Sequence, residues 1–178
     1  MRIVRIWIVL CLITVIARSQ ENAQATSSDD DKDVYICRMY CTDDVSSTPA
    51  NCRACGMKME LRSIVENPAD YKIIRPQAAL DRIRKKNNGL LLLDVRSKEE
   101  YNDELGHLEN SIQIPIKEFD ARVGELARYK DKTIIVYCSH GLRSASVAKS
   151  LTKQGYTVFS LMGGLTKWNR EHFPVVRK

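Results

Sequence analysis

Six cysteines carry most of the chemistry open to this 178-residue chain, and their spacing divides them into one, four and one. Cys138 opens the run Cys138-Ser139-His140-Gly141-Leu142-Arg143-Ser144, directly after the apolar, β-branched stretch Thr133-Ile134-Ile135-Val136-Tyr137. A short loop that feeds a helix N-terminus aims successive backbone N–H groups at one spot and makes a nest for an anion. A cysteine at the start of such a loop, close to Arg143, is held where its thiolate is favoured, which makes it a nucleophile beside an anion site.

Four more cysteines fall within nineteen residues as Cys37-x3-Cys41-x10-Cys52-x2-Cys55. Two close pairs joined by a short loop suit one tetrahedral metal ion, because each pair closes a tight turn and the loop folds the pairs together. Gly56 directly after the second pair permits the left-handed backbone such a knuckle needs. Two other chemistries remain open at this point: two disulfides, in any of three pairings, or a redox-active Cys52/Cys55 pair. Met57 and Met59 are soft side chains nearby that serve as packing or as auxiliary ligands. Roughly thirty residues cannot build a self-sufficient core, so metal or disulfides must contribute stability.

The segment Tyr35-Ile36-Cys37-Arg38-Met39-Tyr40-Cys41, followed by Cys52-Arg53-Ala54-Cys55-Gly56-Met57, resembles the small heavy-metal-binding domain of bacterial metal-efflux proteins. Tyr40 stands where that family has His, and Cys41 where it has Pro. A thiolate in place of an imidazole favours zinc or Cu(I) over harder ions. The resemblance implies Cys37, Cys41, Cys52 and Cys55 as the metal ligands.

The elements that must position Cys138 are legible from Asn67 onward. Pro76 suits a first helical residue, and Ala79, Leu80 and Ile83 share a face up to Lys86, where Asn87-Asn88-Gly89 stops the helix. Leu90-Leu91-Leu92-Leu93 reads as a buried strand ending at Asp94-Val95-Arg96. Phe119, Val123 and Leu126 predict another amphipathic helix. A strand follows at 133–137, a helix at 145–154 closed by Gly155, and a strand at 157–161. Continuous apolar strands alternating with helices predict an α/β fold with a parallel sheet covered on both faces. Ligands of such sheets bind beyond the carboxyl ends of the strands, where Cys138 falls.

These pieces, in this order, resemble the rhodanese (single-domain sulfurtransferase) family over residues 72–176. The matching runs are Leu93-Asp94-Val95-Arg96-Ser97 with Glu100-Tyr101, Gly106-His107-Leu108 through Pro115, Tyr137-Cys138 through Ala145, Gly163-Gly164-Leu165-Thr166-Lys167-Trp168, and Phe173-Pro174-Val175. The resemblance implies a rhodanese-like sheet flanked by helices and transfer of sulfane sulfur through a Cys138 persulfide. It implies thiosulfate as donor, a thiol or cyanide as acceptor, and no cofactor for the transfer. Ser139, His140, Gly141, Leu142, Arg143 and Ser144 would bind the donor, and Asp94 and Arg96 would organise the site, as buried ion-paired residues rather than direct participants. His107 belongs to a turn motif. Ser139 stands where many members carry Arg, which removes one cationic contact from the loop. Protein phosphatases use a related C-x5-R loop around a phosphoryl group; the C-x4-R count here makes a tighter cradle, suited to one sulfur on the cysteine.

Composition narrows the alternatives. With 44% apolar and 28% charged residues, the chain is neither disordered nor a multi-spanning membrane protein. A formal charge of +6, with no Lys/Arg run longer than Arg84-Lys85-Lys86, gives no footprint for nucleic acid. Arg2 and Arg5 precede an apolar stretch, Ile6 to Ile16, whose helical length of about 16 Å is short of a bilayer core of about 30 Å. That layout, with Ala23-Gln24-Ala25 as cleavage site, predicts a signal peptide over 1–25 and a secreted or periplasmic product without a membrane span; the alternative is an anchor at residues 3–16. An acidic flexible spacer is expected at 26–33, a four-cysteine metal-knuckle domain at 34–66 and the rhodanese-like domain at 67–178. A competing function is a non-catalytic metal-binding, sensing or persulfide-carrying module, with the four-cysteine cluster as its working end.

Overall fold

The computed structural model describes residues 34–85 and 89–177. The expected signal peptide and anchor, Cys11 and the acidic spacer lie outside the described residues. From residue 34 onward the described chain falls in one compact unit. Among the described residues, no helix is long and apolar enough to cross a membrane.

The N-terminal part is a small antiparallel sheet. β1 (Tyr35–Ile36) lies between β2 (Val45–Ser46) and β3 (Glu60–Leu61), and a short helix, α1 (Arg62–Glu66), follows at once. The chain then enters β4 (Lys72–Ile74), α2 (Pro76–Arg84), β5 (Leu90–Asp94), α3 (Lys98–Tyr101) and β6 (Ile112–Gln113). After a helical stretch come β7 (Thr133–Tyr137), α5 (Leu142–Lys153), β8 (Thr157–Leu161) and α6 (Gly164–Arg170). The five long-range strands order as β4-β8-β7-β5-β6, all parallel, as the alternation of apolar runs and helical patterns predicts.

Period-two alternation sends successive strand residues to opposite faces, and both faces are buried. Leu91, Leu93, Ile134, Val136 and Val158 meet Val147, Ala148 and Leu151 of α5 on one side. Leu92, Ile135, Tyr137 and Leu161 meet Ala79 and Leu80 of α2 and Leu165 and Trp168 of α6 on the other. Cys138, immediately after central strand β7, is therefore anchored by a strand with neighbours on both edges.

The amphipathic helix predicted from Phe119, Val123 and Leu126 is not one continuous α-helix. It is a single α turn, α4 (Phe119–Arg122), continued as a 3-10 helix over Val123–Tyr129. Val123, Leu126 and Tyr129 recur every three residues, and in a 3-10 helix that spacing puts all three on one face. All three pack into the first core cluster. The helix expected from Ala145 begins at Leu142, because the Cys138 loop ends inside the helix's first turn.

Ile36 and Tyr40 of the small sheet region share a cluster with Val65, Met162 and partly buried Ile73. Met162 directly follows β8, so the small sheet packs against the same end of the parallel sheet that carries Cys138.

Candidate active site and four-cysteine centre

Cys138 is almost fully buried. The chain leaves β7, makes a tight loop and starts α5 at Gly141, whose φ of 101° lies in the region glycine enters without strain. That turn aims the Gly141 N–H at Cys138 Sγ, 3.1 Å away. Ser144 Oγ lies 3.8 Å from the same sulfur. The Ser144 hydroxyl also bonds the Gly141 carbonyl at 2.9 Å and the Ser160 hydroxyl at 2.9 Å, so a buried pair of serines links the loop to β8.

A second fixing point comes from α6. Leu165 N–H donates to the Cys138 carbonyl and Thr166 N–H to the Ser139 carbonyl, each at 2.9 Å. This approach demands glycine: a Cβ on Gly164, whose φ is +56°, would sit 2.3 Å from the Cys138 carbonyl oxygen. The Gly163-Gly164 pair is what lets α6 dock on the loop.

Arg143 faces a carboxylate of its own chain. Its Nη1 and Nη2 donate to Glu100 Oε2 and Oε1, both at 2.6 Å, and Nη2 also donates to Ser139 Oγ at 3.0 Å. Ser139 Oγ in turn donates to Glu100 Oε1 at 3.0 Å. The Arg143 hydrogen bonds hold the Glu100 carboxyl at about 2, well below the usual carboxylate range. Glu100 is itself fixed by a capping box at the start of α3, accepting the Ser97 N–H at 3.0 Å while Ser97 Oγ accepts the Glu100 N–H at 3.3 Å. Glu100, within the matched Ser97 to Tyr101 run, thus has a function that sequence reading left blank. The Ser97-x-x-Glu100 capping signature marks its helix position, but only the fold shows that Arg143 faces it.

The remaining loop residues line up as one segment: Ser139 is buried, while His140, Leu142 and Arg143 are half-buried. Asp94 and Arg96 pair with each other rather than with the loop. Arg96 Nε and Nη2 donate to the Asp94 carboxylate at 2.8–3.1 Å, and both side chains are fully buried. Arg96 Nη2 also donates to the Gly106 carbonyl at 2.7 Å, and Nη1 to Asp103 at 3.2 Å. Burial works against the Arg96 charge, but the Asp94 carboxylate outweighs it and keeps the guanidinium above its ordinary range. This pair ties the end of β5 to the turn that holds His107, whose ring stacks on Tyr101 with centroids 4.0 Å apart.

The other four cysteines converge. The sulfurs of Cys37, Cys41, Cys52 and Cys55 all lie within 4.8 Å of one another, and all four are free thiols. Two knuckles build the cluster: Tyr40 N–H donates to the Cys37 carbonyl at 2.9 Å, and Gly56 N–H, at φ +72°, donates to the Cys52 carbonyl at 2.8 Å. Cys37 Sγ is 3.8 Å from Cys41 Sγ and 3.6 Å from Cys55 Sγ. Four sulfurs at about 2.3 Å from a tetrahedral zinc stand about 3.8 Å apart, whereas bonded sulfurs are about 2.05 Å apart. The spacing therefore fits a shared ion. Burial raises the Cys37 thiol; burial and its neighbouring thiols push Cys41 up to about 12. The Cys55 backbone N–H brings Cys52 down to about 7. Met59 packs on the cluster, and Met57 is exposed.

Comparison with known proteins agrees with this geometry. A rhodanese-like domain model matches residues 76–171. A thiosulfate sulfurtransferase, GlpE, of Coxiella burnetii is 34% identical over 105 residues, 57% of this chain and 91% of that protein. A sulfurtransferase of Allochromatium vinosum is 33% identical over 88 residues, 49% of this chain and 78% of that one. Among solved structures, a rhodanese-related protein from Thermoplasma volcanium superposes with a TM-score of 0.54 at 32% identity, covering 61% of this chain and all of that one. From its sheet order, its Cys138 loop and these matches, the chain belongs to the rhodanese-like domain family.

Proposed function

We propose that this protein is a sulfurtransferase that moves sulfane sulfur from thiosulfate, or a similar donor, to a thiol or cyanide. The observation that carries the reading is Cys138 Sγ, buried at the carboxyl end of β7 with the Gly141 N–H directed at it. The Cys138 thiolate attacks the outer sulfur of thiosulfate; the S–S bond of the donor breaks and sulfite leaves with its electron pair. The transferred sulfur stays on Cys138 as a persulfide anion beside the Gly141 N–H. An incoming thiolate or cyanide takes that sulfur and returns the Cys138 thiolate. Arg143 keeps the loop in shape through Glu100 and Ser139, and its charge lies within electrostatic reach of Cys138.

Cys37, Cys41, Cys52 and Cys55 would hold one thiophilic ion, zinc or Cu(I), in an accessory domain spanning residues 34–66. Four thiolates complete a tetrahedron, so the ion would serve as a structural crosslink with no position left for substrate. Residues 1–25 would direct the chain out of the cytoplasm and be removed, leaving a secreted or periplasmic protein; N-terminal sequencing of the exported product tests this. The activity is tested by sulfite release from thiosulfate by full-length protein and by its Cys138→Ser variant. Release by the wild type alone supports the reading. Equal inactivity of both across thiosulfate, polysulfide and persulfide donors refutes it.

A further inference from the structure

The segment that supplies Cys37 and Cys41 is gripped by the helix that grips the nucleophile loop. At the carboxyl end of α6, Arg170 Nη1 donates to the carbonyls of Tyr40 at 2.9 Å and Cys41 at 3.0 Å, and Nη2 donates to Asp43 at 2.8 Å. Lys167, one turn earlier, reaches the same Asp43 carboxylate at 3.4 Å, and its ammonium lies 5.7 Å from the Tyr40 ring centre. Tyr40 is held at φ +48°, a left-handed conformation uncommon for a tyrosine, and its Cβ would lie 3.1 Å from a Cβ on Gly163. At the amino end of α6, Leu165 and Thr166 hold the carbonyls of Cys138 and Ser139. Leu165 and Arg170, which carry the two grips, stand about 7.5 Å apart along this seven-residue helix. Arg38 and Tyr40 also share a small cavity with Gly141 and Leu142 of the loop.

Building on the proposed metal-binding and sulfurtransferase functions, we propose that Arg170 is a positioning residue through which a metal ion on the four cysteines holds the Cys138 loop in register. The differential interaction is geometric. The ion fixes Cys37 and Cys41, and with them the strained Tyr40 turn whose carbonyls, of Tyr40 and Cys41, Arg170 needs. Without the ion that turn relaxes, Arg170 loses two acceptors, and α6 is left free to shift at the end that sets Cys138. Coupling between two sites requires this kind of difference in contacts between two states, and typical couplings span about 5- to 150-fold.

The test uses the full-length chain with zinc as the probe metal. Backbone hydrogen exchange at Gly141, Leu165 and Thr166 reads the loop directly, and kcat/KM for sulfite release reads its consequence. In the wild type, stripping zinc is expected to speed exchange at those amides and to lower kcat/KM by about fivefold or more. Arg170→Ala is expected to bind one zinc yet show the stripped pattern with or without it. Arg170→Lys, which keeps the charge but not the two-carbonyl fork, is expected to fold and to recover only part of the zinc response. If the wild type binds zinc and transfers sulfur while exchange and rate ignore the metal, the coupling is refuted alone. If exchange responds to zinc but no donor releases sulfite, the coupling stands and the catalytic reading falls. Absence of any zinc uptake overturns both the coupling and the metal assignment.

Discussion

Replacing Glu100 with Gln removes one negative charge from the centre of the loop's hydrogen-bond network and leaves the shape of the side chain intact. The carboxylate takes two bonds from Arg143 at 2.6 Å, one from Ser139 and one from the Ser97 backbone. Its pKa falls from 4.5 to about 2, chiefly through the Arg143 hydrogen bonds. That depression corresponds to about 3 kcal/mol before screening. About a third of each side chain remains open to solvent, so screening brings the expected loss to about 2 kcal/mol at pH 7. Because the folded pKa is depressed, the contribution is fully present above the unfolded value near 4.5 and is lost as pH falls through about 2. Urea unfolding of wild type and Glu100→Gln from pH 7 to pH 3 measures the difference, of which less than about half is expected to remain at pH 3. Equal stabilities at pH 7, or a difference that does not shrink with acid, would show that the Glu100–Arg143 pair contributes nothing to the loop.

Three further perturbations probe the frame around Cys138. Asp94→Ala leaves the Arg96 guanidinium buried without its main partner and is expected to cost about 3–5 kcal/mol in chemical denaturation. Gly164→Ala places a methyl 2.3 Å from the Cys138 carbonyl oxygen; the variant is expected to lose about 2–4 kcal/mol and most of its sulfur transfer, read by denaturation and sulfite assay together. Chelation of the proposed metal ion is expected to lower the melting temperature and release one equivalent of ion, as measured by elemental analysis; no release and an unchanged melting curve would count against a metal centre.

Much of this architecture was readable because it is local. Thr133–Tyr137 is β-branched and apolar, and Leu90–Leu93 is uniformly apolar, so both central strands announce themselves. The Cys138 loop is also contiguous: Cys138, Gly141 and Ser144 meet because the five residues between Cys138 and Ser144 allow little else. The 3-10 stretch at Val123–Tyr129 was not distinguishable from an α-helix, since Phe119, Val123 and Leu126, four and three residues apart, follow the α-helical period. The edge strands β4 and β6, three and two residues long, leave too short a pattern to read. Contacts that join distant segments were the least visible. Glu100 meets Arg143 across 43 positions and Arg170 meets Tyr40 across 130, and neither pair has a spacing rule that points from one partner to the other. The convergence of four thiols was suggested by two close pairs, while their 3.6–3.8 Å sulfur separations required the fold.

The central claim is that sulfur resides on Cys138 during the reaction. Intact-mass and peptide mass spectrometry of the purified protein after thiosulfate treatment tests it most directly. The account predicts an added mass of about 32 Da, one sulfur, on the peptide containing Cys138, removed by cyanide or thiol and absent in Cys138→Ser. An unmodified Cys138 after treatment with thiosulfate, polysulfide and persulfide donors, or the added sulfur on the four-cysteine cluster instead, would contradict it.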